Sequence, residues 1–89
     1  MPRVTFTSNL RRHVDCPPQT VAATNVREAL EAVFARLPAV ASYVVDERFR
    51  LRRHVVVFVD GQAIQDRDAQ SDVVREDSEI YVMQALSGG

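Results

Sequence analysis

One amphipathic stretch sets most of what this chain can fold into. Val26, Ala29, Leu30, Val33, Phe34 and Leu37 recur at spacings of three and four, which places them on one stripe of a helix. Asn25 stands in front as an N-cap, and Glu28 follows three residues later as in a capping box. Arg27 and Glu31 lie off the stripe, and Pro38 stops the helix from continuing. A helix of about three turns has a single apolar face to bury. The stripe is core packing and implies no cofactor.

On both sides of this helix the apolar residues alternate instead. Over residues 3–7, Val4 and Phe6 fall on one side and Arg3, Thr5 and Thr7 on the other, the pattern of a half-buried strand. Ser8 and Asn9 bend the chain. Pro17 and Pro18 cannot sit inside a central ladder, so they mark a connection to a second strand over 19–23, hairpinned with the first. Residues 39–52 read as irregular, with Tyr43, Val44 and Val45 as a short buried segment and a charged run over 46–53 on the surface. Residues 54–59 (HVVVFV) form the strongest strand. Asp60-Gly61 then favours a tight turn, because Gly tolerates positive φ. Residues 62–64 return as a short strand. Residues 65–78 are polar, with Val73 and Val74 as an anchor, and 79–85 is the last strand. The resulting order is strand, strand, helix, strand, short strand, strand. It predicts an α+β fold of the β-grasp arrangement: a four- to five-stranded mixed sheet with one main helix packed on one face. Order alone also allows other small α+β folds.

With 89 residues the chain makes one domain, 1–89, around one small core. A deep cleft walled on all sides is hard to build at this size, which favours a carrier, binding module or subunit over a self-contained enzyme. The net charge of −1 suggests no nucleic-acid or membrane partner. No run is long and apolar enough for a membrane span or a signal peptide, so a cytoplasmic location is expected. The charge is uneven along the chain: nine Arg stand against five acids up to residue 53, and two Arg against seven acids beyond it. The fold is expected to interleave the halves so that the asymmetry cancels in space. Every basic residue other than His is Arg, and Lys is absent. Codon bias explains this, and so does avoidance of amines that would capture an activated terminus.

The sequence ends in Gly88-Gly89. A terminal Gly pair arises by chance in roughly 0.5% of chains, so the pair counts as a signal. Residues 86–89 extend by ~13 Å beyond the last strand. Gly lacks a side chain, so such a tail can thread a narrow channel in another protein and expose its carbonyl to attack. A carboxylate is a poor electrophile until its oxygen joins a good leaving group, and adenylation by ATP does that.

The strand order, the strand and turn over residues 55–61, and the ending Leu86-Ser87-Gly88-Gly89 resemble the MoaD/ThiS family of ubiquitin-like sulfur carriers. The length and residues 51–61 (LRRHVVVFVDG) look most like its longer members, the carriers that serve cysteine synthases and the small subunit of molybdopterin synthase. The resemblance implies that Gly89 is adenylated and converted to a thiocarboxylate, with Leu86, Ser87, Gly88 and Gly89 lying in a partner's active site. The protein is then a co-substrate and not an enzyme. It has no catalytic residues, metal or intrinsic cofactor, and ATP is used by the adenylating partner. Its partners are an adenylating enzyme of the ubiquitin-activating type, a sulfur donor or sulfurtransferase, and a sulfur-accepting synthase. The same chemistry also fits a modifier conjugated to target lysines, and an interaction domain with an inert end remains a third reading. Many family members carry Pro before the final segment, where this chain has Met83-Gln84-Ala85, and Cys16-Pro17-Pro18 matches no family motif.

Alternation in the last two long strands assigns the sheet faces. Val55, Val57 and Val59, with Ile80 and Val82, are expected beneath the helix. Phe58, Tyr81 and Met83 are left on the open face as a partner-binding patch, unless residues 39–52 cover them. Cys16 reads as an incidental free thiol with Asp15 beside it, which would not favour a thiolate. His13 and His54 have no third ligand spaced near them and read as structural or surface residues. Arg48, Arg50, Arg52 and Arg53 form a basic strip. Asp66, Asp68, Asp72, Glu76, Asp77 and Glu79 are candidates to steer a basic partner.

Overall fold

The computed structural model describes residues 1–84. α2 (Val26–Arg36) is the predicted helix. Asn25 Oδ1 accepts the Glu28 N–H at 2.8 Å, and Glu28 Oε1 reaches back to accept the Thr24 N–H and hydroxyl, both at 2.8 Å. The Val26 and Arg27 N–H groups donate to the carbonyls of Asp72 and Gln70 at 3.0 and 2.9 Å. The first turn therefore leaves few orphan donors. Val26, Ala29, Leu30 and Val33 are fully buried. Each large side chain so placed stabilises the fold by ~1.5–3 kcal/mol relative to exposure.

This stripe packs on a five-stranded sheet. β1 (Arg3–Phe6), β2 (Gln19–Thr20), β3 (Val55–Val59), β4 (Gln62–Ala63) and β5 (Glu79–Gln84) lie in the order β2-β1-β5-β3-β4. β1 and β5 are parallel, and the other neighbouring pairs are antiparallel. The α+β β-grasp expectation holds, with the mixed sheet at its upper strand count. Asp60 and Gly61 both have positive φ, 50° and 86°, as a tight turn of this kind demands.

Several local expectations are corrected. The bend after β1 is a single helical turn, α1 (Ser8–Arg11). The second strand has two residues, after which Val21 turns inward and its N–H bonds the Pro2 carbonyl at 2.9 Å. Residues 39–52 are not irregular throughout: α3 (Pro38–Val44) occupies the first half. Pro38 ends α2 and also opens α3, because its fixed φ suits a first helical position where no N–H is needed. Val40 and Val44, four apart, are fully buried on the helix side of the sheet. Val45 and Leu51 bridge and are also buried, so this segment joins the core and does not lie over the open face. Of the Val73-Val74 pair only Val74 anchors the loop; Val73 is 78% exposed. β5 ends at Gln84, and the expected strand residue Ala85 lies outside the described residues.

Buried Gln70 was not singled out in the sequence. Its Nε2 donates to the carbonyls of Phe49, Arg67 and Asp68 at 3.1, 2.8 and 3.2 Å, which ties the loop after β4 to the segment after α3. Phe49 and Gln70 both have positive φ, 62° and 52°. The Phe49 ring is held by the Arg27 guanidinium at 3.9 Å and by Phe34 at 5.6 Å between centroids.

Candidate functional site

The sheet has one covered face and one open face, and the register decides which residues fall on each. Val55, Val57, Ile80 and Val82 are buried under the helices, as expected. Val59, near the strand end, is half-buried. On the other face Phe58 pairs directly with Tyr81, and Val56 with Met83. Tyr81 also neighbours Thr5 across the parallel ladder. Tyr81 is 38% exposed, and Phe58, Met83 and Val56 are half-buried. The structure thus brings Phe58, Tyr81 and Met83 together and adds Val56, which the sequence reading left out. The signal for Val56 was its strand parity with Phe58.

This face sits beside the end of β5. Gln84 is opposite Val55 on one side, and on the other its N–H lies 3.5 Å from Thr7 Oγ1. The predicted tail residues Leu86, Ser87, Gly88 and Gly89 lie outside the described residues. The described chain ends at Gln84, beside the aromatic and Met patch.

The acids of the loops have a different role from the one their scatter suggested. Asp66 accepts from the Ser71 hydroxyl at 2.5 Å and from the Ala69 N–H at 3.0 Å. Asp72 accepts the Gln65 and Asp66 N–H groups at 3.0 and 2.9 Å. Asp60 accepts the Glu79 N–H at 2.9 Å and the Ser78 hydroxyl at 3.0 Å, which fastens the turn after β3 to the start of β5. Asp46 accepts the Arg48 and Arg50 N–H groups at 2.9 and 3.0 Å. These carboxylates hold loops in place, and only Asp68, Asp77 and Glu79 of the acidic set remain for a rim role, with Glu76 facing the Met1 ammonium at 2.9 Å.

Donated hydrogen bonds hold several of these carboxyls below the usual carboxylate range. The Glu79 N–H and then the Ser78 hydroxyl do so for Asp60, the Ser71 hydroxyl and then the Ala69 N–H for Asp66, the Arg50 N–H for Asp46, and the Thr24 N–H and hydroxyl for Glu28. A carboxyl with a lowered folded pKa contributes stability above its unfolded value and loses it as pH falls through the folded one. The midpoint of urea unfolding should therefore hold steady down to about pH 5 and drop below about pH 4. The Asp60→Asn variant should show a shallower drop, and an equally steep one would reject this assignment.

Cys16 is 1% exposed and belongs to the core. Burial pushes its thiol up, Arg11 opposes this and Asp15 adds to it, so it is a packed apolar group and not a poised nucleophile. His13 and His54 are both exposed, and His13 stacks on Tyr43 with ring centroids 6.4 Å apart. Among the described residues no group of three or more His, Cys, Asp or Glu is arranged to hold a metal ion. No helix among them is long and apolar enough to cross a membrane.

A β-grasp sheet with one face covered by helices and a solvent-facing aromatic patch on the other defines a ubiquitin-like domain. The sequence matches the ThiS family model over residues 7–89, and the chain belongs to the ThiS family. No curated protein matches it in sequence. Similar solved structures include a chain of the Amycolatopsis orientalis BexX/CysO complex, with a TM-score of 0.83, 20% identity and 100% of both chains covered. Haloferax volcanii SAMP1 aligns with a TM-score of 0.79 and 21% identity over 99% of this chain and 98% of that one. Mycobacterium tuberculosis CysO aligns with a TM-score of 0.80 and 12% identity over 97% of this chain and 100% of that one. At these identities the likeness is one of fold.

Proposed function

We propose that this ThiS-family protein carries sulfur as a thiocarboxylate on Gly89 and acts as a co-substrate of partner enzymes. The observation that carries this reading is that the family match runs through to Gly88-Gly89. The last described residue, Gln84, stands at the end of β5 beside the Phe58/Tyr81/Met83 patch.

The chemistry needs three partners. An adenylating enzyme joins the Gly89 carboxylate oxygen to the α-phosphorus of ATP and releases pyrophosphate. A persulfide sulfur on a sulfurtransferase then attacks the Gly89 carbonyl and expels AMP. A second thiol of that donor cleaves the resulting acyl disulfide, becomes disulfide-bonded itself, and leaves the thiocarboxylate. A synthase takes the sulfur, with cysteine or molybdopterin as the product class. Leu86, Ser87 and Gly88 serve as the segment that enters each partner's active site, and Phe58, Tyr81 and Met83 as the surface that docks. The BexX/CysO complex, one chain of which shares this fold, supports a carrier that docks on a partner protein.

The test is the intact mass of the protein purified alongside its pathway enzymes. Replacement of one terminal oxygen by sulfur is the expected result. Larger species cleaved at an isopeptide bond would show a lysine modifier instead, and an unmodified terminus under active sulfur flux would sink the carrier reading.

A further inference from the structure

Unpaired positive charge gathers at one end of the strands, on both sides of Gln84. Gln84 lies between Thr7, which leads into α1, and Val55, which begins β3. α1 ends in Arg11 with Arg12 after it, and both are exposed. On the other side the Val55 N–H closes a turn onto the Arg52 carbonyl at 2.9 Å, and the exposed Arg53 and His54 are its central residues. α3 ties the two basic turns together. Its Tyr43 ring stacks on His13, and its Ser42 carbonyl accepts from Arg52 Nε at 2.6 Å. The opposite end of the sheet, where β3 finishes and β5 starts, carries Asp60, Glu76, Asp77 and Glu79, largely offset by Arg3, which neighbours Glu79 across the parallel ladder, by Arg75 beside Asp60 and by the Met1 ammonium on Glu76.

Part of the positive charge at the first end is already engaged. Arg50 lies 3.7 Å from Asp46, and Arg52 is held by the Ser42 carbonyl. Asp15 and Glu47 are the other acids on these segments. Arg11, Arg12 and Arg53 make no ion pair among the described residues, and all three belong to the segments on either side of Gln84, the last described residue.

The geometry points to a cationic collar: Arg11, Arg12 and Arg53 meet an acidic rim around the channel that the adenylating enzyme opens to the tail. This rests on the carrier reading above. Like charge on both sides of a substrate's entry point acts mainly on encounter and orientation, so it governs association and salt dependence more than the chemical step. A nucleic acid is disfavoured as the occupant, because the net charge of the domain is −1.

The test measures ATP-dependent pyrophosphate release by the adenylating enzyme of the same organism, with the full-length chain as varied substrate. The double variant Arg11→Glu/Arg12→Glu and the single variant Arg53→Glu should each raise KM by about 10-fold or more at low salt, leave kcat unchanged, and lose most of the difference at about 1 M salt. Glu76→Gln, at the far end of the sheet beside the Met1 ammonium, should leave KM as it is. If a reversal variant is less stable, Arg53→Gln gives a smaller rise of the same kind. Wild-type charging with unchanged KM in the variants overturns the collar and leaves the carrier reading standing. A loss confined to kcat overturns it too, as does poly(U) binding that disappears on reversal while KM holds. Wild-type protein that is never charged overturns both.

Discussion

Removing Gly89 should abolish charging by the adenylating enzyme while leaving the thermal midpoint within about 1 °C of wild type. The acyl group that must be activated is the carboxylate of the last residue. Deletion moves it back by one residue, ~3.5 Å along an extended chain, onto Gly88. Displacements of about 1 Å at a reacting centre already cost on the order of 100-fold, so several ångströms should leave no measurable rate. Stability should not follow, because the core formed by the described residues runs from Val4 to Val82. Replacing Gly89 by Ala keeps the carboxylate in register and adds only a methyl group, so it separates register from the need for a bare backbone. Full sulfur transfer by the chain lacking Gly89 would refute thiocarboxylate carriage there.

A charge at Tyr81 should cost affinity and not the fold. Tyr81 is 38% exposed and pairs across the ladder with Phe58. Tyr81→Asp gives up one cross-strand aromatic contact, worth ~0.5–1.5 kcal/mol. It also places a carboxylate in the centre of the proposed docking face. Truncating or charging a central aromatic anchor typically costs 2 kcal/mol or more, about 30-fold in KM for the adenylating enzyme. Phe58→Asp should show the same loss with a larger stability cost, since Phe58 is half-buried. Val82→Asp, one position along β5, is the contrast: Val82 is fully buried, an unpaired carboxylate there has no partner, and that variant should unfold. The Tyr81 effect should persist at high salt, whereas the collar effect should vanish, so the two contributions to docking can be measured apart. An unfolded Tyr81→Asp protein, or one with unchanged KM, would remove this face from the docking surface.

What could be read from the residues was whatever has a local cause. The α2 stripe and its Asn25/Glu28 start follow from spacing and from donors that need partners, and they were placed within a residue. The Asp60-Gly61 turn follows from the positive φ it demands. Alternation over 55–59 and 79–84 was enough to sort Val55, Val57, Ile80 and Val82 from Phe58, Tyr81 and Met83. The Gly88-Gly89 end and the LRRHVVVFVDG segment were enough to name the family.

Tertiary structure decided the rest. α3 was missed because seven residues are too few to show a period and Pro38 looked only like a stop; burying Val40 and Val44 against the sheet is what makes that segment helical. The loop acids look like candidates to steer a partner, because nothing in their spacing says that Asp66 will meet the Ser71 hydroxyl, or Asp72 the N–H of Gln65. The cationic collar depends on the antiparallel β3/β5 and parallel β1/β5 registers, which bring residues more than forty positions apart to the same end of one sheet. A local pattern can say which face of an element is apolar, but only the packed sheet decides which charges from distant segments become neighbours.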